Sequence, residues 1–281
     1  EYGLRAKERK KAGFEAPEVG TFLHYLLENV NRDVKALGGY GQVSDDELRR
    51  MTKDYVSRYA AERIDDFAHK SARFRYLFTR LRETAYTIIL NIAREMRQSA
   101  FQPVSFELSF GGRQGDLPAI TIQEDGARLS VSGKVDRVDG WLHEGKLYLR
   151  VVDYKTGKKS FDLTDIRYGL GIQMLLYLFT LEREGQSFFG HPIVPCGVLY
   201  QPARDVILRQ DRSISDEKLK AALQSELRRT GLVLNDPQVL RAMEHSALDS
   251  PCYLPIGVKK DGSLSGSVAT AAQLGHLGRY V

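Results

Sequence analysis

The stretch from Gly133 to Tyr177, GKVDRVDGWLHEGKLYLRVVDYKTGKKSFDLTDIRYGLGIQMLLY, decides the fold. Leu129 to Val138 is apolar enough for a strand and carries Asp136. Asp-Gly and Glu-Gly pairs supply the turn chemistry of hairpins, and Leu147 to Val152 reads as a second strand running into Asp153-Tyr154-Lys155. A helix is expected from Leu163 to Glu182, with Gln173 and Tyr177 one turn apart on it. Two carboxylates and a lysine at adjacent strand ends make a compact site for a hard divalent cation.

Upstream, Val19, Phe22, Leu23, Leu26, Leu27 and Val30 recur at helical spacing after Pro17, and Leu37-Gly38-Gly39 is a stop. Ser44 and Glu47 form a capping box for a second helix running toward His69. A third helix is expected from Ser71 to Ser99. The period then changes to two: Val104 to Phe110 alternates into Gly111-Gly112, and Ala119 to Ile122 is another strand. Downstream, Gly197 to Tyr200 and Asp205 to Arg209 read as strands, Ser215 to Arg229 and Asp236 to His245 as helices. Lys259 to Gly262 reads as a hairpin turn, and a last helix begins at Ser267. Helices, a meander of strands, then helix, strand and helix predict an α/β fold of the α+β kind, a mixed sheet flanked by helices. A doubly wound parallel sheet would need strict alternation. The expected organisation is an N-terminal helical region over 1–100 and a core with C-terminal helices over 101–281, together one compact domain.

Asp136 lies in a mostly apolar strand, where a carboxylate is costly unless paired or bound to a cation. A salt bridge to Lys134, Arg137 or Lys155 would also satisfy it, and Arg137 with Asp139 fits a plain ion pair better. Asp153 and Lys155 are two apart, so a strand projects both to one face. A carboxylate that holds a cation and an ammonium that steadies a water nucleophile or charge on phosphorus suit metal-assisted hydrolysis; a cross-strand ion pair would look the same. His24 is remote in sequence and spacing alone would not select it; Glu28, one turn on, could orient its imidazole. Glu107 alternates between Phe106 and Leu108 as a solvent-face residue or a strand ion pair. Gln173 and Tyr177 face either a polar cleft or an internal hydrogen bond.

The 281 residues can bury a sizeable core, and 42% hydrophobic with 27% charged residues argues against disorder. A net charge of +5 is compatible with a polyanionic partner without demanding one. Cys196 and Cys252 are far apart and form no C-x-x-C, which points to a reducing cytoplasmic setting. No apolar run approaches a membrane span, and no membrane partner is expected. The chain begins with Glu in a basic pattern, as a piece of a longer protein would.

Gly133-Lys134-Val135-Asp136-Arg137-Val138-Asp139, Val152 to Gly157, Gln173 to Tyr177 and Gly20-Thr21-Phe22-Leu23-His24 together resemble the RecB-type branch of the PD-(D/E)xK nucleases. Val198 to Arg204, Tyr2 to Arg5 and the tail Leu254 to Gly262 extend the resemblance to the C-terminal nuclease domains of the AddB family, which belongs to AddAB-type helicase–nucleases. The resemblance implies a restriction-endonuclease-like core with an N-terminal helical insert. It implies Mg²⁺-dependent phosphodiester hydrolysis, with Mn²⁺ able to substitute. His24, Asp136 and Asp153 would be metal ligands, joined by Tyr154 through its carbonyl; Asp136, Asp153 and Lys155 would be catalytic; Gln173 and Tyr177 would shape the DNA-side cleft.

The implied partners are single-stranded DNA ends and an AddA-type subunit, in double-strand break processing where the AddB member cuts the 5′-ended strand. The family also holds a 4Fe–4S cluster on four cysteines, and neither Cys196 nor Cys252 matches their places; truncation is the preferred account of that. The same missing cysteines make a Cas4-like nuclease a poorer match. A catalytically silent DNA-binding or scaffolding module with this fold is the alternative, disfavoured because every motif residue is present. No Walker A motif occurs, so helicase activity would belong elsewhere.

Overall fold

The computed structural model describes residues 16–64, 67–111, 116–124, 126–206, 208 and 215–281. Three helices come first: α1 (Ala16–Ala36), α2 (Asp45–Arg63) and α3 (Ala72–Arg97). On α1 the buried apolar residues are Phe22, Leu23, Leu26, Leu27, Val30 and Val34; all but Val34 lie on the expected stripe, whose first member, Val19, is half-buried. The Ser44 hydroxyl accepts from the Glu47 N–H while the Glu47 carboxylate accepts from the Ser44 N–H, so the capping box is complete. This helix stops at Arg63 instead of reaching His69; a short 3₁₀ turn over Phe67–His69 separates it from α3, which Ser71 caps.

The strands β1 (Gln102–Phe110), β2 (Ile120–Glu124), β3 (Ala127–Val131), β4 (Gly133–His143) and β5 (Lys146–Lys155) follow. Then come α4 (Leu163–Arg167), α5 (Gln173–Phe189), β6 (Ile193–Pro202), α6 (Asp216–Glu226), β7 (Thr230–Leu234) and α7 (Pro237–Met243). The chain closes with β8 (Ile256–Val258), β9 (Leu264–Gly266), β10 (Val268–Ala269) and α8 (Ala271–Tyr280). Six strands form one mixed sheet in the order β1-β4-β5-β6-β7-β10. Within it β1, β4 and β5 are antiparallel neighbours and β5 runs parallel to β6. The parallel step needs a crossover, and α5 supplies it. Hairpins β2–β3 and β8–β9 stand outside this sheet.

Four further expectations are corrected. The helix expected over Leu163 to Glu182 is two helices, because Gly169 (φ +73°) and Gly171 (φ +68°) put left-handed backbone between α4 and α5. The strand expected over Leu129 to Val138 is split at Ser132 into β3 and β4. The helix expected to run to Arg229 ends at Glu226, and a short strand, β7, that was not expected starts at Thr230. The last helix begins after Thr270, whose hydroxyl caps it, with β10 before it. The expected basic arm over 1–13, the Tyr2 to Arg5 block and part of the strand at Asp205 to Arg209 lie outside the described residues.

Two apolar clusters form the core. One joins the sheet to α5, α7 and α8 through residues such as Leu149, Val151, Leu175, Leu178, Val198, Leu240 and Leu274. The other joins α1, α2 and α3 through Leu23, Leu26, Leu48, Ile88 and Ile92, and takes in Tyr154 and Ala203 from the sheet side. Between α3 and the sheet lies a buried charged layer. Arg137 grips Asp139 with two bonds of 2.7 and 3.0 Å. Arg150 bridges Asp139 (3.0 Å) to Glu95 (2.9 Å), and Arg229 reaches Glu95 at 2.6 Å. None of these five side chains is more than 2% exposed. Burial works against the Glu95 charge, yet the guanidiniums of Arg229 and Arg150 outweigh it and hold its carboxyl below the usual range. The plain ion pair expected for Arg137 and Asp139 is present, and it is core rather than turn.

Candidate metal centre

The β4–β5 ladder pairs Arg137 with Val152, so Asp136 and Asp153 fall on the next rung, where the two strands part. There the Asp136 carboxylate takes the place of a ladder carbonyl: its Oδ2 accepts the Tyr154 N–H at 2.7 Å. Its other oxygen lies 3.3 Å from Nδ1 of His24, which α1 carries over the sheet. Asp153 Oδ2 is 2.6 Å from the Lys155 ammonium, so the two-residue spacing puts both on one face as strand geometry requires. The structure therefore brings His24, Asp136, Asp153 and Lys155 together from a helix and two strands.

Strand β1 adds a residue. Phe106 pairs with Arg137 and Leu108 with Val135, which sets Glu107 across from Asp136. His24, Glu107 and Asp136 each present a ligand atom, all within 4.8 Å of one another. Asp153 is outside that trio and leans on Lys155. Glu107 was expected to be a solvent-face residue or a strand ion pair; it does ion-pair with Lys134 but also belongs to the cluster. Its backbone is left-handed (φ +52°), rare for a non-glycine residue, and no sequence pattern signals it.

Tyr154 is 4% exposed. Its hydroxyl accepts from Arg137 (3.0 Å) and Asn31 (3.4 Å), and the His24 ring sits edge-on to it at 5.9 Å. The buried charged layer thus grips the residue between Asp153 and Lys155. Glu28 does not orient His24; its carboxylate binds Arg32 at 3.0 Å. Tyr177 is buried, stacked on Phe110, and its hydroxyl accepts from the Gln173 amide (2.7 Å) and the Lys134 N–H (3.3 Å). Gly133 is required there, since a Cβ would stand 2.1 Å from that hydroxyl. Gln173 and Tyr177 therefore hold the end of β4 that carries Asp136.

The electrostatics favour a cation. Burial, then the neighbouring Asp136 charge, raises the Asp153 carboxyl against the pull of Lys155 and His24. Burial also raises Glu107, with Lys134 opposing. The hydrogen bond to Asp136 raises His24, with burial opposing. One imidazole and three carboxylates with no thiolate form a donor set that fits a hard divalent ion such as Mg²⁺ or Mn²⁺. The thiols fit no cluster: Cys196 is buried in the sheet core, Cys252 lies apart from it, and two cysteines do not supply four ligands.

The raised His24 value sets a pH dependence. In metal-free protein the His24–Asp136 pair contributes stability in full below pH 6.5, and that contribution is lost as pH rises through the raised folded value. Divalent ions show the opposite trend, because a proton on the imidazole competes with them: binding weakens as pH falls through the same value. Thermal melts of chelator-treated protein from pH 6 to 8.5 should show a decline that His24→Gln lacks. An equal decline in both proteins contradicts the pair.

Comparison with known proteins gives concordant matches. The family model of the PD-(D/E)XK nuclease superfamily matches residues 1–252. The B-type subunit of the ATP-dependent helicase/deoxyribonuclease of Acetivibrio thermocellus is 36% identical over 292 residues, covering 100% of this chain and 25% of its own length. Its counterpart in Clostridium kluyveri is 33% identical over 286 residues, again covering 100% of this chain and 25% of its own. The counterpart in Caldanaerobacter subterraneus is 34% identical over 266 residues, with 94% and 23% covered. The chain thus spans about a quarter of the length of these curated relatives. Among the described residues, no helix is long and apolar enough to cross a membrane.

Proposed function

We propose that this chain, which belongs to the PD-(D/E)XK nuclease superfamily, is the Mg²⁺-dependent deoxyribonuclease part of a helicase–nuclease and hydrolyses phosphodiester bonds at single-stranded DNA ends. The observation that carries the reading is the rung of Asp136 and Asp153, with Lys155 on the same face and His24 delivered by α1. Regions 1–100 and 101–281 act as one nuclease domain, since His24 comes from the first and the carboxylates from the second.

His24, Asp136 and Asp153 hold the ion, with the Tyr154 carbonyl and Glu107 as further oxygen donors. When bound, the ion supplies Lewis-acid stabilisation of the negative charge that builds on phosphorus. Lys155, held against Asp153, orients the attacking water and faces the developing oxyanion. The Tyr154 N–H fixes Asp136, and the Arg137 bond to the Tyr154 hydroxyl fixes Tyr154. Gln173 and Tyr177 shape the DNA-side cleft by anchoring Gly133–Lys134. In the larger assembly the chain works in the cytoplasm with an AddA-type subunit on broken DNA ends, and unwinding belongs to the partner segments.

With Mg²⁺ or Mn²⁺ the purified chain is expected to degrade end-labelled single-stranded DNA, and EDTA to stop it until metal is restored. DNA that binds but stays intact with either ion would favour the silent DNA-binding module and overturn the enzymatic reading.

A further inference from the structure

Beside the metal centre, past Lys155, the chain forms a second cleft of about 190 Å³. Lys155, Lys158, Lys159, Arg204 and Arg228 line it, against the single carboxylate of Glu226. Such one-signed lining in a concave site concentrates a polyanion. We infer that this cleft is a phosphate subsite, in which Lys158, Lys159, Arg204 and Arg228 hold the backbone of a single DNA strand next to the bond being cut. The inference deepens the nuclease reading and rests on it.

The cleft is built rather than incidental. Its floor is Tyr200, buried on β6, with the Lys155 ammonium 5.7 Å and the Lys159 ammonium 5.8 Å from the ring centre. The same aromatic thus carries the lysine of the metal centre and Lys159 on one ring. The loop after β5 is pinned at both ends: the Ala203 N–H donates to the Lys155 carbonyl (2.8 Å), and the Thr230 hydroxyl donates to the Lys159 carbonyl (2.8 Å). Opposite, Arg228 is tied to the Leu254 carbonyl at 2.7 Å and to the Ile256 carbonyl. Arg204 is tied to Glu226 at 2.6 Å, and Lys158 reaches the same carboxylate at 3.5 Å. Glu226 therefore holds two of these cations in place, and its carboxyl is kept below the usual range, first by the Arg204 hydrogen bond. Lys158 and Lys159 remain exposed at the rim. Backbone phosphates spaced along a strand match fixed cations that continue outward from the catalytic lysine. Bases carry no such repeating charge, so the contact is sequence-independent.

The test is binding of a fluorescein-labelled oligothymidylate to the whole chain in Ca²⁺, across a salt series, for wild type and for Lys158→Gln/Lys159→Gln. Both substitutions are at exposed positions. The expected result is roughly tenfold weaker binding near physiological salt and a slope of log affinity against log salt reduced by about 1.4, that is about 0.7 for each lost single-strand contact. The control pair Lys53→Gln/Lys146→Gln, also exposed, should leave the slope unchanged. Cleavage of thymidine 5′-p-nitrophenyl phosphate, too short to reach the cleft, should be unaffected by either pair. A slope unchanged in the cleft variant, or reduced equally in the control pair, overturns the subsite. Equal losses with oligoribouridylate and oligothymidylate support a backbone contact; a loss confined to RNA overturns it. If Asp153→Ala abolishes cleavage while the cleft variant behaves as wild type, the subsite alone has failed. If Asp153→Ala cleaves normally, the nuclease reading has failed instead.

Discussion

Replacing Lys155 with alanine is expected to lower the single-turnover rate of single-stranded DNA cleavage by about 10²–10³-fold while leaving the melting temperature almost unchanged. The side chain is about one-third exposed (37%), so truncating it opens no core cavity. What is lost is the ammonium 2.6 Å from Asp153. Asp153→Ala should cost at least as much, because it removes a proposed ligand and the partner that holds Lys155. Its effect combined with Lys155→Ala should be far from additive, as for groups acting as a unit. Rapid-quench measurement at saturating Mg²⁺ checks both. Rates within tenfold of wild type for either variant would move the chemistry elsewhere.

Arg150→Met is expected to destabilise the chain by about 3–5 kcal/mol, the largest loss from any single substitution considered. The guanidinium lies between Asp139 and Glu95, each at most 1% exposed, and its removal leaves two buried carboxylates under-compensated. A buried ion network contributes little net energy as a whole, since desolvation offsets attraction; breaking one member is the costly event. Arg50→Ala, at an exposed 3.9 Å pair with Glu47, should change stability by less than about 1 kcal/mol. Urea unfolding of the metal-free proteins separates the two. The loss at Arg150 also has a functional side, because Asp139 positions Arg137 and Arg137 holds the Tyr154 hydroxyl. A loss under 1 kcal/mol for Arg150→Met would mean the layer is solvated.

These two predictions differ in how far the sequence supports them. Asp136, Asp153 and Lys155 were legible because strand alternation and a turn are local signals, and a carboxylate in an apolar run asks for an explanation. His24 was found only through the resemblance, since nothing in helical spacing separates it from an ordinary histidine. Glu107 was missed as a cluster member: alternation placed it on the polar face of a strand, while its left-handed backbone and its position across from Asp136 depend on β1–β4 pairing.

The charged layer was invisible for the same reason. Glu95 looked like one more charge between the apolar positions of α3, and its partners Arg150 and Arg229 come from sites 55 and 134 residues away. Element boundaries failed where short range is ambiguous. Two glycines divided one expected helix, and only three residues separate the end of α6 from the five residues of β7. The nuclease superfamily was legible in four motifs taken together, since the blocks around Asp136 and Asp153 join a local strand signal to a chemical demand and the histidine block adds weight only beside them.

The central claim is that His24, Asp136 and Asp153 hold a divalent ion beside Lys155. Anomalous diffraction from crystals soaked in Mn²⁺ addresses it directly. The expected result is a strong peak bounded by those three side chains, lost in Asp136→Asn. A Mn²⁺ peak elsewhere in a chain that still cuts DNA, with His24 and Asp136 remaining paired to each other, would contradict it.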